Sequence, residues 1–254
     1  VESLNERAAA DALQRAGQLA RSYQGDASAT IGYVDNLLRV TAAYEAQNGV
    51  ARTAALVRQE RLYAGLFGNV AIVDARGAGF AVGPMGRVPI LLADSANVRA
   101  ANRATALIVG PPLTARVTKH FAIPFVRSVR GPDGTLTGDI TAIVDVRAFA
   151  FGYGANDLGP HGVLELVGTA DRVVRERVAG NADASLVGRR LSAATPTWAR
   201  LASTPDGSYR LVSRLDGLLR LFAYRKVPGF PLVALSGLVE ARRGGGAVGR
   251  RLRC

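Results

Sequence analysis

Residues 2–60 contain no proline, are rich in alanine and place apolar side chains at helical spacing: Leu4, Ala8 and Leu13, then Ile31, Val34, Leu37 and Leu38, then Ala54 and Leu56. The pattern predicts one long helical segment over 1–60, with a break near Gly49. A helix of this length with so narrow an apolar stripe is not stable alone. It must lie on a later domain, on a partner helix, or on both.

After Leu62 the periodicity shortens to that of strands and turns. Gly68–Asp74 reads as a strand, Ala75–Gly79 as a turn, and Phe80–Val82 as the return. Residues 83–103 read as irregular and polar. Thr105–Pro112, His120–Val129 and Leu136–Val146 read as strands, with Pro132-Asp133-Gly134 as the tight turn between the last two. Phe149–Pro160, rich in Gly and Asn, reads as a connector. A similar order then returns in shorter form. Gly162–Thr169 and Val173–Val178 are strands and Thr197–Ala202 a short helix. Pro205-Asp206-Gly207 is a second tight turn, followed by strands over Tyr209–Ser213, Leu218–Lys226 and Pro231–Leu238. The recurrence predicts an internal repeat of two small antiparallel sheets, each of about five strands with helices on one face: an α+β chain. The divisions expected are a helical segment over 1–60, modules over 61–150 and 151–240, and a flexible basic tail over 241–254.

Composition bears on the partners. The formal net charge is +12, and only Lys119 and Lys226 among the basic residues are lysines. Arg242, Arg243, Arg250, Arg251 and Arg253 crowd the tail without an acid beside them, and the remaining excess is scattered. A nucleic-acid surface needs a basic cluster with a reading element, and the sequence offers none. No run of about 18 uncharged apolar residues occurs, and Val1–Arg21 is polar rather than a compact apolar leader. Cys254 is the sole cysteine, so no internal disulfide forms and no Cys pair binds metal.

Catalytic motifs are missing as well. His120 and His161 lie far apart, each without a carboxylate at ligand spacing, and no nucleophile-elbow, zinc-protease or Walker sequence occurs. Gly244–Gly249 matches Gly-x-Gly-x-x-Gly only formally, because five residues follow where a helix and a distant acid are required. The chain reads as non-catalytic, without a cofactor or metal.

The informative stretch is Asp94–Arg127, a long polar loop followed by Val109-Gly-Pro-Pro-Leu-Thr-Ala-Arg-Val-Thr-Lys-His-Phe-Ala-Ile-Pro-Phe. Long loops of this kind usually serve function. Arg116, Lys119 and His120 would face a small pocket, the guanidinium offering a fork of donors suited to a carboxylate. Asp145 would meet a ligand ammonium or fix an arginine. In the plainer reading Arg116 and Lys119 are solvated loop charges and Asp145 caps the following turn. Asp94, Arg99, Arg116, Lys119, His120, Phe125 and Asp145 are the candidate ligand-binding residues. Trp198 reads as a core anchor and His161 as a turn residue. Phe222 and Tyr224 read as divided between core and surface.

Val109–Pro124 resembles the "SPP-x-x-GR-x-x-GKW-x-IP" run of the double Cache sensor domains of bacterial transmembrane receptors. Ala142–Phe149 resembles the strand that ends in Asp before the connector between the modules. Gly162–Val167 and Leu219–Leu238 resemble strands of the second module. The resemblance covers roughly residues 1–240. It departs where Asp94-Ser-Ala-Asn-Val stands for Asp-Arg-Pro-Tyr-Phe and where His120 stands for Trp, and the amino-acid-binding signature is not recognisable. The resemblance implies two PAS-like modules stacked on the long helix, with a small polar or anionic ligand, carboxylate or amino-acid-like, in the membrane-distal first module. It further implies a periplasmic location, a membrane anchor in the full-length protein, and a cytoplasmic output such as a diguanylate cyclase or histidine kinase. The helix supplies a plausible homodimer contact. A ligand-free scaffold, working through dimerisation or a protein partner, is the alternative.

Overall fold

The computed structural model describes residues 2–65, 67–114, 120–149, 152–180, 186–213 and 217–239. Arg116, Lys119 and the basic tail over 241–254 lie outside these residues.

Helix α1 runs over Glu2–Gln59. It is interrupted at Gly49, whose backbone (φ 76°, ψ 170°) is not helical and is one that glycine adopts without steric cost. The expected break is therefore present. Among the described residues two antiparallel sheets lie along this helix. The first contains β1 (Phe67–Asp74), β2 (Ala78–Gly83), β3 (Gly86–Leu91), β4 (Ile108–Val109), β5 (Leu113–Thr114), β6 (Phe121–Arg130) and β7 (Leu136–Asp145), in the order β3-β2-β1-β7-β6-β4, with β5 also on β6. A 3-10 turn, Val146–Phe149, ends it, and the short helix α3 (Ala155–Leu158) lies in the connector. The second sheet contains β8 (Val163–Gly168), β9 (Val174–Ala179), β10 (Asp206–Val212), β11 (Leu219–Lys226) and β12 (Leu232–Val239), in the order β10-β11-β12-β8-β9.

Read from the opposite edge, the second order repeats the first strand for strand: β9-β8-β12-β11-β10 matches β2-β1-β7-β6-β4. The repeat is real, but the turn expected to mark it is not. Pro132-Asp133-Gly134 joins β6 to β7, whereas Asp206 and Gly207 are already paired as the first residues of β10. The turn in the equivalent place is Pro228-Gly229, between β11 and β12. A Pro-Asp-Gly sequence favours a turn locally, and cross-strand pairing overrides that preference here.

Residues 83–103 are more ordered than the sequence reading allowed. They form β3 and the helix α2 (Ala96–Asn102), which Ser95 caps by accepting the Val98 N–H at 3.4 Å. Pro89 argues locally against a strand, but β3 is an edge strand, where a missing donor is tolerated. Thr105–Pro112, expected as one strand, is a strand only at Ile108–Val109, with the Gly110 N–H still donating to the Pro124 carbonyl at 2.8 Å before Pro111 and Pro112, which have no N–H to give. Helices also lie on both faces of the first sheet, not on one.

The core follows α1. Its N-terminal half packs on the second sheet through Ala16 and Ala20, where Ser236 donates to the Ala16 carbonyl at 2.5 Å. Further along, Ile31, Val34, Leu38, Ala54 and Val57 share a cluster with Ile72, Ile123, Phe125, Ile140 and Val144 of the first sheet and Leu164, Leu166 and Leu232 of the second. One helix thus covers one face of each sheet. On the far face of the second sheet, Tyr209 and Tyr224 form a separate core with Phe222 and Trp198, which fits the expected anchor role of Trp198. Phe222 and Tyr224 lie together there rather than on opposite sides, as residues two apart on a strand must.

Candidate functional site

Strand alternation divides β6 and β7 between two environments. Ile123, Phe125, Val129, Ile140, Ala142 and Val144 face α1. Ala122, Pro124, Val126 and Ser128, with their β7 partners Asp145, Ile143, Thr141 and Asp139, face the other way. That outer face is the floor of the candidate site. Helix α2 roofs one end by packing Val98 and Ala101 on Val126. The segment after β4 crosses above α2 at Gly110, where a Cβ would lie 2.7 Å from the Asn97 amide, so a larger residue there would require that side chain to move.

Two carboxylates stand on the floor in different states. Asp139 is 1% exposed, and Asn102 of α2, with its amide suitably oriented, donates to both of its oxygens at 2.9 and 3.0 Å. Burial pushes the Asp139 carboxyl up to about 7, against the pull of Arg130. Asp145, at the strand end, accepts from Arg147 Nε at 2.9 Å, from Arg147 Nη2 at 2.6 Å and from the Arg147 backbone N–H at 2.9 Å. The hydrogen bonds from Arg147 hold its carboxyl below the usual range. His120 Nδ1 lies 3.7 Å from Asp145 Oδ2. Between the two carboxylates, Thr141 is buried with its Oγ1 unpaired among the described residues.

The structure brings His120 and Asp145 together, in line with the sequence reading. It also gives Asp145 two of the roles weighed for it, fixing an arginine and capping the turn, with Arg147 as the arginine. Asp94 is exposed just before α2, and Arg99 is exposed within it. Phe125 is fully buried on the α1 side of the sheet, its ring stacked on Phe149 at 6.2 Å, and it contributes core rather than floor. Arg116 and Lys119 belong to the undescribed stretch between β5 and His120. Asp139, Thr141 and Asn102 were overlooked. The available signal was spacing: Asp139, Thr141 and Asp145, like Thr137, fall at even intervals in the strand, which puts them on one face. Two open depressions lie elsewhere. One, of about 480 Å³, runs between α1 and β11 beside Gln18 and Arg225, and the other, of about 410 Å³, lies beside Arg58 and Arg87.

Among the described residues no helix is long and apolar enough to cross a membrane, and no group of three or more His, Cys, Asp or Glu residues is placed to hold a metal.

No family model and no curated protein matches the chain. Solved structures do. The extracellular domain of the candidate histidine kinase rpHK1S-Z16 superposes with a TM-score of 0.74 at 22% identity, covering 91% of this chain and 95% of that one. The sensory domain of the Campylobacter jejuni chemoreceptor Tlp3, solved with isoleucine bound, gives 0.63 at 14% identity over 92% and 95%. The ligand-binding domain of the Pseudomonas fluorescens chemoreceptor CtaA, solved with L-alanine, gives 0.61 at 17% identity over 87% and 94%. At these identities the likeness is one of fold.

Proposed function

From the double Cache fold, which this chain shares with those extracellular sensory domains, we propose that it is the periplasmic ligand-sensing part of a transmembrane signalling receptor. A small polar molecule, carboxylate or amino-acid-like, binds over the outer face of β6 and β7, near Arg116, Lys119, His120 and Asp145. The chain itself is not an enzyme. Binding shifts the first sheet against α1, and the helix carries the displacement to a cytoplasmic output such as a diguanylate cyclase or histidine kinase. Two copies associate through the solvent face of α1.

The observation that carries this reading is the two-sidedness of one sheet. Its outer face holds Asp139, Thr141, Asp145 and the neighbouring His120, while its inner face is the seat of α1, so a change at one face is felt at the other. The amino acids bound by Tlp3 and CtaA support the ligand class. A thermal-shift screen of organic acids, amino acids and nucleobases tests it. A true ligand raises the midpoint of the wild type and does so less in Arg116→Ala and Asp145→Asn. If no compound raises the midpoint, ligand binding by this module is refuted.

A second reading, a ligand-free scaffold working through dimerisation or a protein partner, is favoured by one observation: Arg147 already occupies both oxygens of Asp145. It expects a silent screen and an Arg147→Ala variant that gains no ligand response.

A further inference from the structure

Glu176 sits on β9, on the face of the second sheet that turns toward α1 and the first module. It is 4% exposed, and its Oε2 has no hydrogen-bond partner among the described residues. The other buried glutamate of this sheet, Glu165, is paired with Arg177 on the opposite face. Glu176 has no such dedicated cation. β9 packs on the 3-10 turn Val146–Phe149 of the first module, and Asp145 and Arg147, at the junction of β7 with that turn, are near enough to act electrostatically on the Glu176 carboxyl. From α1, Tyr23, fully buried and with its hydroxyl also unpaired among the described residues, lies near enough to feel a charge on Glu176. From its own strand the Arg177 backbone N–H donates to it.

The arginine at this junction does not relieve it. Arg147 is committed to both oxygens of Asp145, so its charge is already shared with a carboxylate, and the 3.7 Å approach of His120 is also to Asp145. An ionised Glu176 would be a buried anion facing a second anion. Burial, then Asp145, push its carboxyl up to about 8. The strand that carries it bridges the modules: the neighbouring Arg175, 3% exposed, donates to the Val109 carbonyl at 3.3 Å while holding Asp171 at 2.8 Å. β9 therefore touches the first module at two places, one held by an arginine and one seating an acid.

We propose that Glu176 is a proton-controlled latch between the two modules: as the neutral acid it lets β9 seat on the 3-10 turn Val146–Phe149, and its ionisation loosens that contact. The latch needs no ligand at the β6–β7 face and stands apart from the reading of that site.

Amide hydrogen exchange on the whole chain tests it, corrected for intrinsic rates and compared between about pH 6.5 and about pH 9. In the wild type, protection of residues 145–149 and 174–179 falls about tenfold at the higher pH, and in Glu176→Gln, which keeps the shape of the neutral acid, it does not. Asp139→Asn leaves the wild-type response in place, because Asp139 lies under α2 and not at the junction. Equal pH responses in the wild type and Glu176→Gln would overturn the proposal, as would loss of the response in Asp139→Asn. Carbon-13 titration of the Glu176 carboxyl in the wild type gives an independent reading: a midpoint in the ordinary glutamate range would overturn it as well.

Discussion

Arg127 ties the first sheet to the long helix. Its Nε and Nη2 reach Asp35 Oδ1 of α1 at 2.9 and 2.5 Å, with both side chains largely buried. Removing one partner of such a pair strands the other charge. Arg39 also reaches Asp35, at 3.1 Å, and softens the loss. Arg127→Met is expected to lower stability by about 2 kcal/mol, less than for a fully dry pair, measured by denaturant unfolding. A change within 0.5 kcal/mol, as for an ordinary surface substitution, would show that the pair contributes little. Nothing in the sequence marks Arg127 and Asp35 as partners, because 92 residues separate them. His120 and Asp145 became visible through motif and strand-end position, whereas Phe125 was misplaced. Its motif neighbours suggested a site, but its odd position on β6 sends it to the opposite face from Ala122 and Val126.

At the scale of elements, α1 was the most legible part of the chain, since a proline-free amphipathic pattern has few alternatives. Its break was legible too. At Gly49 a Cβ would meet nothing within 4 Å, so any effect of Gly49→Ala comes from the backbone alone. That substitution is expected to cost ~2 kcal/mol, because alanine is strained at this positive φ, and to show itself as a lower unfolding midpoint. If the variant matches the wild type, the helix has straightened at no cost. The solvent side of α1 exposes Val40 and Tyr33. If two copies meet there, Val40→Asp shifts the chain toward monomer in light scattering at micromolar concentration, and an unchanged mass would exclude this surface. Short elements were less legible. β3, α2 and β10 were missed or misassigned because cross-strand and packing partners override local preference there, as Phe80 does opposite Pro89 and Arg225 opposite Asp206.

For the whole molecule, the two modules hang on one helix and meet each other at β9, so the pH response is expected to be read in the stability of the whole chain. Asp139 and Glu176 both carry carboxyls raised above their ordinary range, to about 7 and about 8. Each contributes stability that is complete below the ordinary carboxyl pKa, near 4, and is lost as pH rises through its folded value. The thermal midpoint is therefore expected to fall from about pH 5 to about pH 9, and to fall less in Asp139→Asn and in Glu176→Gln. A midpoint that holds or rises over this range would contradict both assignments. The sequence by itself determined the long helix, the antiparallel strands that come after it and the recurrence of a module, because periodicity and turn chemistry act over a few residues. Only the tertiary structure decided which faces of β6 and β7 meet α1, that Pro228-Gly229 and not Pro205-Asp206-Gly207 closes the second repeat, and that Glu176 is buried where the charge of Asp145 acts on it. Those outcomes depend on which distant segments meet, and burial and charge have their effect only once the chain has brought them together.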